Sequence, residues 1–99
     1  MVDWPNYVIT AVRYDGSKID SVRRRRGEGD SLSDPIEIPR RAVAQDLQYG
    51  MSYCTAIRNG DGEWERGDDV HAYELDGELF IKTEEGENPA DNLEGLPQF

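Results

Sequence analysis

One cysteine, two lysines and one histidine are all that 99 residues hold of these three types. A lone Cys54 can form no internal disulfide and no cysteine-based zinc site. No apolar run approaches the ~18 residues a membrane-spanning helix needs. The opening Met1-Val2-Asp3-Trp4-Pro5 has neither the basic nor the apolar stretch of a secretory signal. The expectation is therefore a cytoplasmic protein without a membrane partner.

What the chain has in excess is acid. Its formal charge is −10, with 21 acidic residues against 11 basic ones. Nine of those basic residues are arginine; Lys18 and Lys82 are the only lysines. Carboxylates hold water and cations, salt screens their repulsion, and few lysine stems leave little extra apolar surface. This balance predicts a halophilic source. The charge is also uneven: residues 1–59 sum to +1 and residues 60–99 to −11. An anionic partner would have to meet the first half.

Hydrophobic residues make up 36% of the chain, enough for one economical core. The expected organisation is a short lead over 1–6, one domain over 7–83 and an acidic extended tail over 84–99 pinned through Leu93, Leu96 and Phe99. Residues 7–14 are β-branched and aromatic and predict a strand. Asp15-Gly16-Ser17 predicts a turn and 18–25 the partner strand of a hairpin. Ile19 and Val22 lie three apart, which breaks strict alternation and predicts a bulge. Residues 26–35 read as a loop and the most mobile internal segment. Ile36-Glu37-Ile38 suits a short strand, Pro39 the first turn of a helix over 40–49, and Gly50 its left-handed stop.

Beyond the helix, residues 51–58 predict a strand. A turn follows at Asn59-Gly60-Asp61-Gly62, with 63–66 extending the pairing. Residues 70–75 and 78–83 predict a hairpin around Asp76-Gly77. The order β-β-(β)-α-β-β-β gives an α+β domain, a small antiparallel sheet or half-open roll with one short helix.

Taken in order, Ile9-Thr10-Ala11-Val12-Arg13, the short helix closed by Gly50 and the ending Asp91-Asn92-Leu93-Glu94-Gly95-Leu96-Pro97 resemble a family of small prokaryotic proteins, domain of unknown function 3892. The resemblance spans roughly residues 8–97. It implies a compact stand-alone domain and supplies no catalytic residues. The charged 26–35 stretch is longer here than that pattern requires.

Arg23-Arg24-Arg25-Arg26, joined by Arg40 and Arg41, is the sharpest candidate site. Guanidiniums grip phosphates through paired N–H donors and stack on bases, so these six form a candidate nucleic-acid surface. Strand alternation would nevertheless send neighbouring arginines to opposite faces, and local acids such as Glu28 and Asp30 offer ion-pair partners. The acidic stretch 61–94 could instead mimic a nucleic-acid backbone. Asn59, Asp61, Glu63, Glu65, Asp68 and Asp69 fail the calcium-loop frame, whose sixth and twelfth places hold Trp64 and Val70 counted from Asn59. His71 has Asp69 two residues away but no nucleophile, and Cys54 has no activating neighbour. Trp4 and Trp64 read as packing residues.

No cofactor, metal or catalytic residue is expected. The leading expectation is a non-enzymatic domain that meets a protein partner through its sheet edges and the 26–35 segment, as a monomer or weak homodimer. Nucleic-acid binding through the arginines is the alternative, and inhibition by acidic mimicry a further one.

Overall fold

The computed structural model describes residues 4–16, 18–29, 31–83 and 96–99. β1 (Tyr7–Asp15) and β2 (Lys18–Glu28) form the expected hairpin, with Gly16 in the left-handed region at its turn. Arg13 pairs with Ser21 and Tyr14 with Ile19, which leaves Asp20 as the extra residue of a bulge. That bulge lets Ile19 and Val22 point into the same core despite their spacing. A second irregularity pairs Ile9 with Arg24 and Ala11 with Arg23, leaving Thr10 extra on β1.

The 26–35 segment is loop only in part: its described residues are strand at 26–28 and 31–32, a turn at Gly29 and irregular at 33–35. β2 runs on to Glu28, and β3 (Ser31–Leu32) and β4 (Ile36–Pro39) fold back antiparallel along its outer edge. Composition misleads here because the edge supplies what composition does not show. Arg26 N–H donates to the Ser33 hydroxyl at 2.8 Å, and Gly27 N–H to the Asn6 carbonyl at 3.1 Å. A Cβ at Gly27 would collide with the Pro5 carbonyl, so the charged strand is held from both sides.

α1 (Arg40–Gln48) starts at Pro39, which stands one place before the helix rather than in its first turn. It ends as Gly50 predicts. Gly50 lies in the left-handed region, its N–H reaches the Leu47 carbonyl at 3.2 Å, and Met51 N–H reaches that of Asp46 at 3.0 Å. Val43 and Ala44 are fully buried. The helix carries the chain back across the sheet, so β5 (Tyr53–Arg58) runs parallel to β1. The sheet is thus mixed, not purely antiparallel.

β6 (Trp64–Leu75) is one long strand where the sequence suggested two pieces. Gly67 keeps it continuous by lying against Thr55, whose hydroxyl accepts the Asp68 N–H at 3.2 Å. β7 (Glu78–Thr83) returns antiparallel after Asp76 and Gly77, both at positive φ. The order across the sheet is β3-β2-β1-β5-β6-β7, with β4 also on β2. Among the described residues the architecture is α+β: one helix on a curled, seven-stranded half-barrel.

Both sheet faces bury apolar groups. The helix side holds Ile9, Val12, Ile19, Val22, Val43, Tyr53, Val70, Ile81 and Leu96. The opposite side holds a smaller cluster of Val8, Cys54 and Ala56 under Trp4, Leu32 and Trp64. β5 therefore reads as a continuous buried run from Tyr53 to Ala56, while Ile57 near its end is exposed, as is Met51 just before it. The expected tail falls mostly outside the described residues, Leu93 included. Leu96 and Phe99 are docked, with Gln98 bridged in parallel to Val12.

Candidate functional site

Strand parity sorts the arginine run by face. Arg24 and Arg26 lie opposite Ile9 and Tyr7 on the helix side; Arg23 and Arg25 lie on the other, opposite Ala11 and Val8. The chemistry divides the same way. Arg24 is a structural residue. Its guanidinium covers the Tyr7 ring at 4.1 Å and donates at 3.3 Å to both Asp46 Oδ2 and the Tyr53 hydroxyl. That hydroxyl donates in turn to Asp46 at 2.6 Å. Burial, then the bond to Asp46, holds the Tyr53 phenol above its ordinary range. Arg26 pairs with Glu28 at 3.0 Å. Arg40, at the helix start, pairs with Glu78 at 3.0 Å and lies over Phe80. Glu78 is held below the usual carboxylate range by hydrogen bonds from Lys18 and then Arg40. Arg41 is exposed beside Arg40. The six arginines are thus not one surface.

The face away from the helix gathers a different set. Arg23 stacks on the Phe99 ring at 4.4 Å, and Arg13 stacks on the same ring at 4.6 Å. Arg25 lies over Trp64 at 4.9 Å and Arg58 at 4.7 Å. Two arginine–aromatic–arginine stacks therefore stand on one sheet face, built by β1, β2, β5, β6 and the Phe99 segment. Arg25 is anchored through Thr10 Oγ1 and the Ser33 carbonyl. Burial and then repulsion from Arg58 lower its pKa. Arg13 has a long contact of 3.5 Å to Glu37. Among the described residues, the guanidiniums of Arg23 and Arg58 make no ion pair and donate no hydrogen bond, and both residues are exposed.

Sequence reasoning missed Arg13, Arg58 and Phe99. Their placement depends on hairpin register and on the parallel β1–β5 pairing, neither of which local composition encodes. The out-facing parity of Arg13 in β1 was the available signal, but Arg13 and Arg23 meet through the Phe99 ring, which is far from both in sequence.

The other candidates lie elsewhere. Cys54 is fully buried, and burial pushes its thiol up to about 11, so it holds almost no thiolate at neutral pH. His71 is exposed on β6, paired in register with Lys82, while the Asp69 carboxylate is held by Arg66 at 3.0 Å. Asn59 spends its side-chain oxygen on the N–H groups of Asp61 and Glu63 within its own turn. Among the described residues no three metal-ligating side chains converge, and no helix is long and apolar enough to cross a membrane. Comparison with protein-family models, curated proteins and solved structures finds no match.

Proposed function

We propose that this chain is a non-enzymatic interaction domain whose stacked-guanidinium face docks on an acidic surface of a protein partner. The observation that carries this reading is the state of Arg23 and Arg58. In a chain with 21 acidic residues, both are exposed, both lie on aromatic rings and, among the described residues, neither guanidinium makes an ion pair. Arginine and aromatic side chains supply much of the binding energy at protein interfaces. Guanidiniums that repel one another, as Arg25 and Arg58 do, gain from an added anion. The buried Cys54 thiol and the Arg66-bound Asp69 beside His71 support the non-enzymatic part. Relative to the sequence-based expectation, the proposed contact surface moves from the 26–35 segment to the sheet face.

Nucleic-acid binding is the second reading, because guanidinium planes and aromatic rings on an open sheet also accept unstacked bases. Amide-resolved NMR titrations with poly-L-glutamate, single-stranded RNA and short duplex DNA separate the two. The first reading expects glutamate polymer to move the Arg23, Arg25 and Arg58 amides and the Trp64 indole. RNA or DNA moving them at lower concentration than polyglutamate would promote the second. Silence of that face toward all three polyanions would defeat both. On composition, we also propose that the domain works in a high-salt cytoplasm. Circular dichroism unchanged from molar KCl to dilute buffer would remove that part.

A further inference from the structure

The far end of β1 is completed by a segment that is not one of the sheet's strands. β5 covers β1 only at Tyr7, Val8 and Ile9. Farther along, Val12 is fully buried, and its peptide groups need partners that water cannot supply. Leu96–Phe99 provides them: Val12 N–H donates to the Pro97 carbonyl at 2.9 Å, and Phe99 N–H donates to the Val12 carbonyl at 3.1 Å. The segment is read at two side chains. Leu96 enters the main core beside Val12, and Phe99 is clamped between Arg13 and Arg23. Arg13 Nε adds a bond of 3.3 Å to the Phe99 carbonyl. Pro97 and Gln98 are exposed between them.

We infer that the β1 edge from Ala11 to Arg13 is a strand-addition site for an extended peptide of a partner protein that carries an apolar residue three places before an aromatic one. Leu96–Phe99 is its resident occupant. Backbone bonds fix the direction and register of whatever fills the edge, and two side-chain positions select it, as in other strand-addition sites. The edge must stay filled because Val12 is buried, so a partner segment enters by exchange. This inference shares Arg13 and Arg23 with the proposed docking face but rests on the edge hydrogen bonds, and it stands if polyanions prove silent.

The test uses a fluorescein-labelled, amide-ended Gly-Leu-Pro-Gln-Phe peptide and the full chain. In the Leu96→Ser/Phe99→Ser variant the resident segment is weakened. The peptide is expected to bind it at least about ten-fold more tightly than it binds the unaltered chain, where the tethered segment competes at roughly millimolar effective concentration. Replacing the peptide's Phe with Ala should remove most of that binding. A folded variant that ignores the peptide, or that fills the edge by pairing with a second copy of itself, overturns the inference. Should the variant fail to fold, hydrogen exchange on the unaltered chain decides. The Val12 amide is expected to exchange faster than that of Ile9, through local opening, and to be slowed by added peptide. Equal rates, or no effect of peptide, overturn it.

Discussion

Arg23 and Arg24 are neighbours in sequence, and the same substitution in each should have opposite consequences. In Arg24→Gln, Asp46 loses its cation, the Tyr53 hydroxyl loses a donor and the Tyr7 ring loses its stacked guanidinium. A hydrogen bond to a charged group contributes about 1.5–3 kcal/mol, and the stack adds roughly 0.5–1 kcal/mol. The Arg24 and Asp46 side chains are 19% and 31% exposed, so solvent recovers part of this, and a net loss of about 2 kcal/mol follows. For a domain of this size each kcal/mol moves Tm by roughly 4–8 °C, which gives a fall of about 8–16 °C. Arg23→Gln removes only its contact with Phe99, about 0.5–1 kcal/mol at an exposed site. Thermal melts at molar KCl should separate the two variants clearly. Polyglutamate titration should reverse the order, with Arg23→Gln losing the shifts at the sheet face and Arg24→Gln keeping them. Equal melting losses, or a larger one for Arg23→Gln, would refute the division of the arginine run by strand parity.

Three further outcomes follow from packing and titration. Gly27→Ala places a Cβ against the Pro5 carbonyl, which cannot swing aside as a side chain would; overpacking of this kind costs about 1–3 kcal/mol, read as a lower urea midpoint. Cys54 should react with a thiol reagent at pH 8 only as fast as the domain opens, and Trp64→Ala, by uncovering the Val8–Cys54–Ala56 cluster, should raise that rate at least about ten-fold through a loss of roughly 2–3 kcal/mol. Because the Cys54 thiol is raised to about 11 from 9.0, the folded state holds its proton where the unfolded state releases it. Stability should therefore fall as pH rises from about 9 to about 11, and Cys54→Ser should flatten that fall.

How far the sequence was legible depends on how local each signal is. The β1–β2 hairpin, the bulge between Ile19 and Val22, the Gly50 helix stop and the Asp76-Gly77 turn are written in neighbouring residues, and each is present. The parallel β1–β5 pairing is not local, since it follows from where α1 returns the chain. The extent of β2 was lost because arginine, glycine and serine signal loop by composition, while the edge partners Ser33 and Asn6 lie outside any short window. The candidate site suffered most. Four consecutive arginines drew attention as a unit, yet a strand separates consecutive residues, and the face they help to build also takes Arg13 and Arg58 from β1 and β5. Strand alternation alone was enough to divide the run; naming the partners of Arg23 and Arg25 required the register.

Salt dependence is where the two functional readings part most sharply. At 1 M salt the screening length is about 3 Å, so long-range attraction between this face and a partner contributes little. Binding that survives must come from contact: stacked planes, paired N–H donors and the apolar area of Trp64 and Phe99. A single-stranded nucleic acid releases condensed counterions, and log K falls with log salt by about 0.7 per phosphate neutralised. Four arginines on four phosphates would give a slope of about −3. A carboxylate-bearing protein surface has no comparable condensed layer, so its slope should be shallower, with affinity retained at molar KCl. Isothermal titration of poly-L-glutamate and of single-stranded RNA across KCl concentrations measures that slope. A value near −3 would mean that the face is built for phosphate, however acidic the rest of the chain.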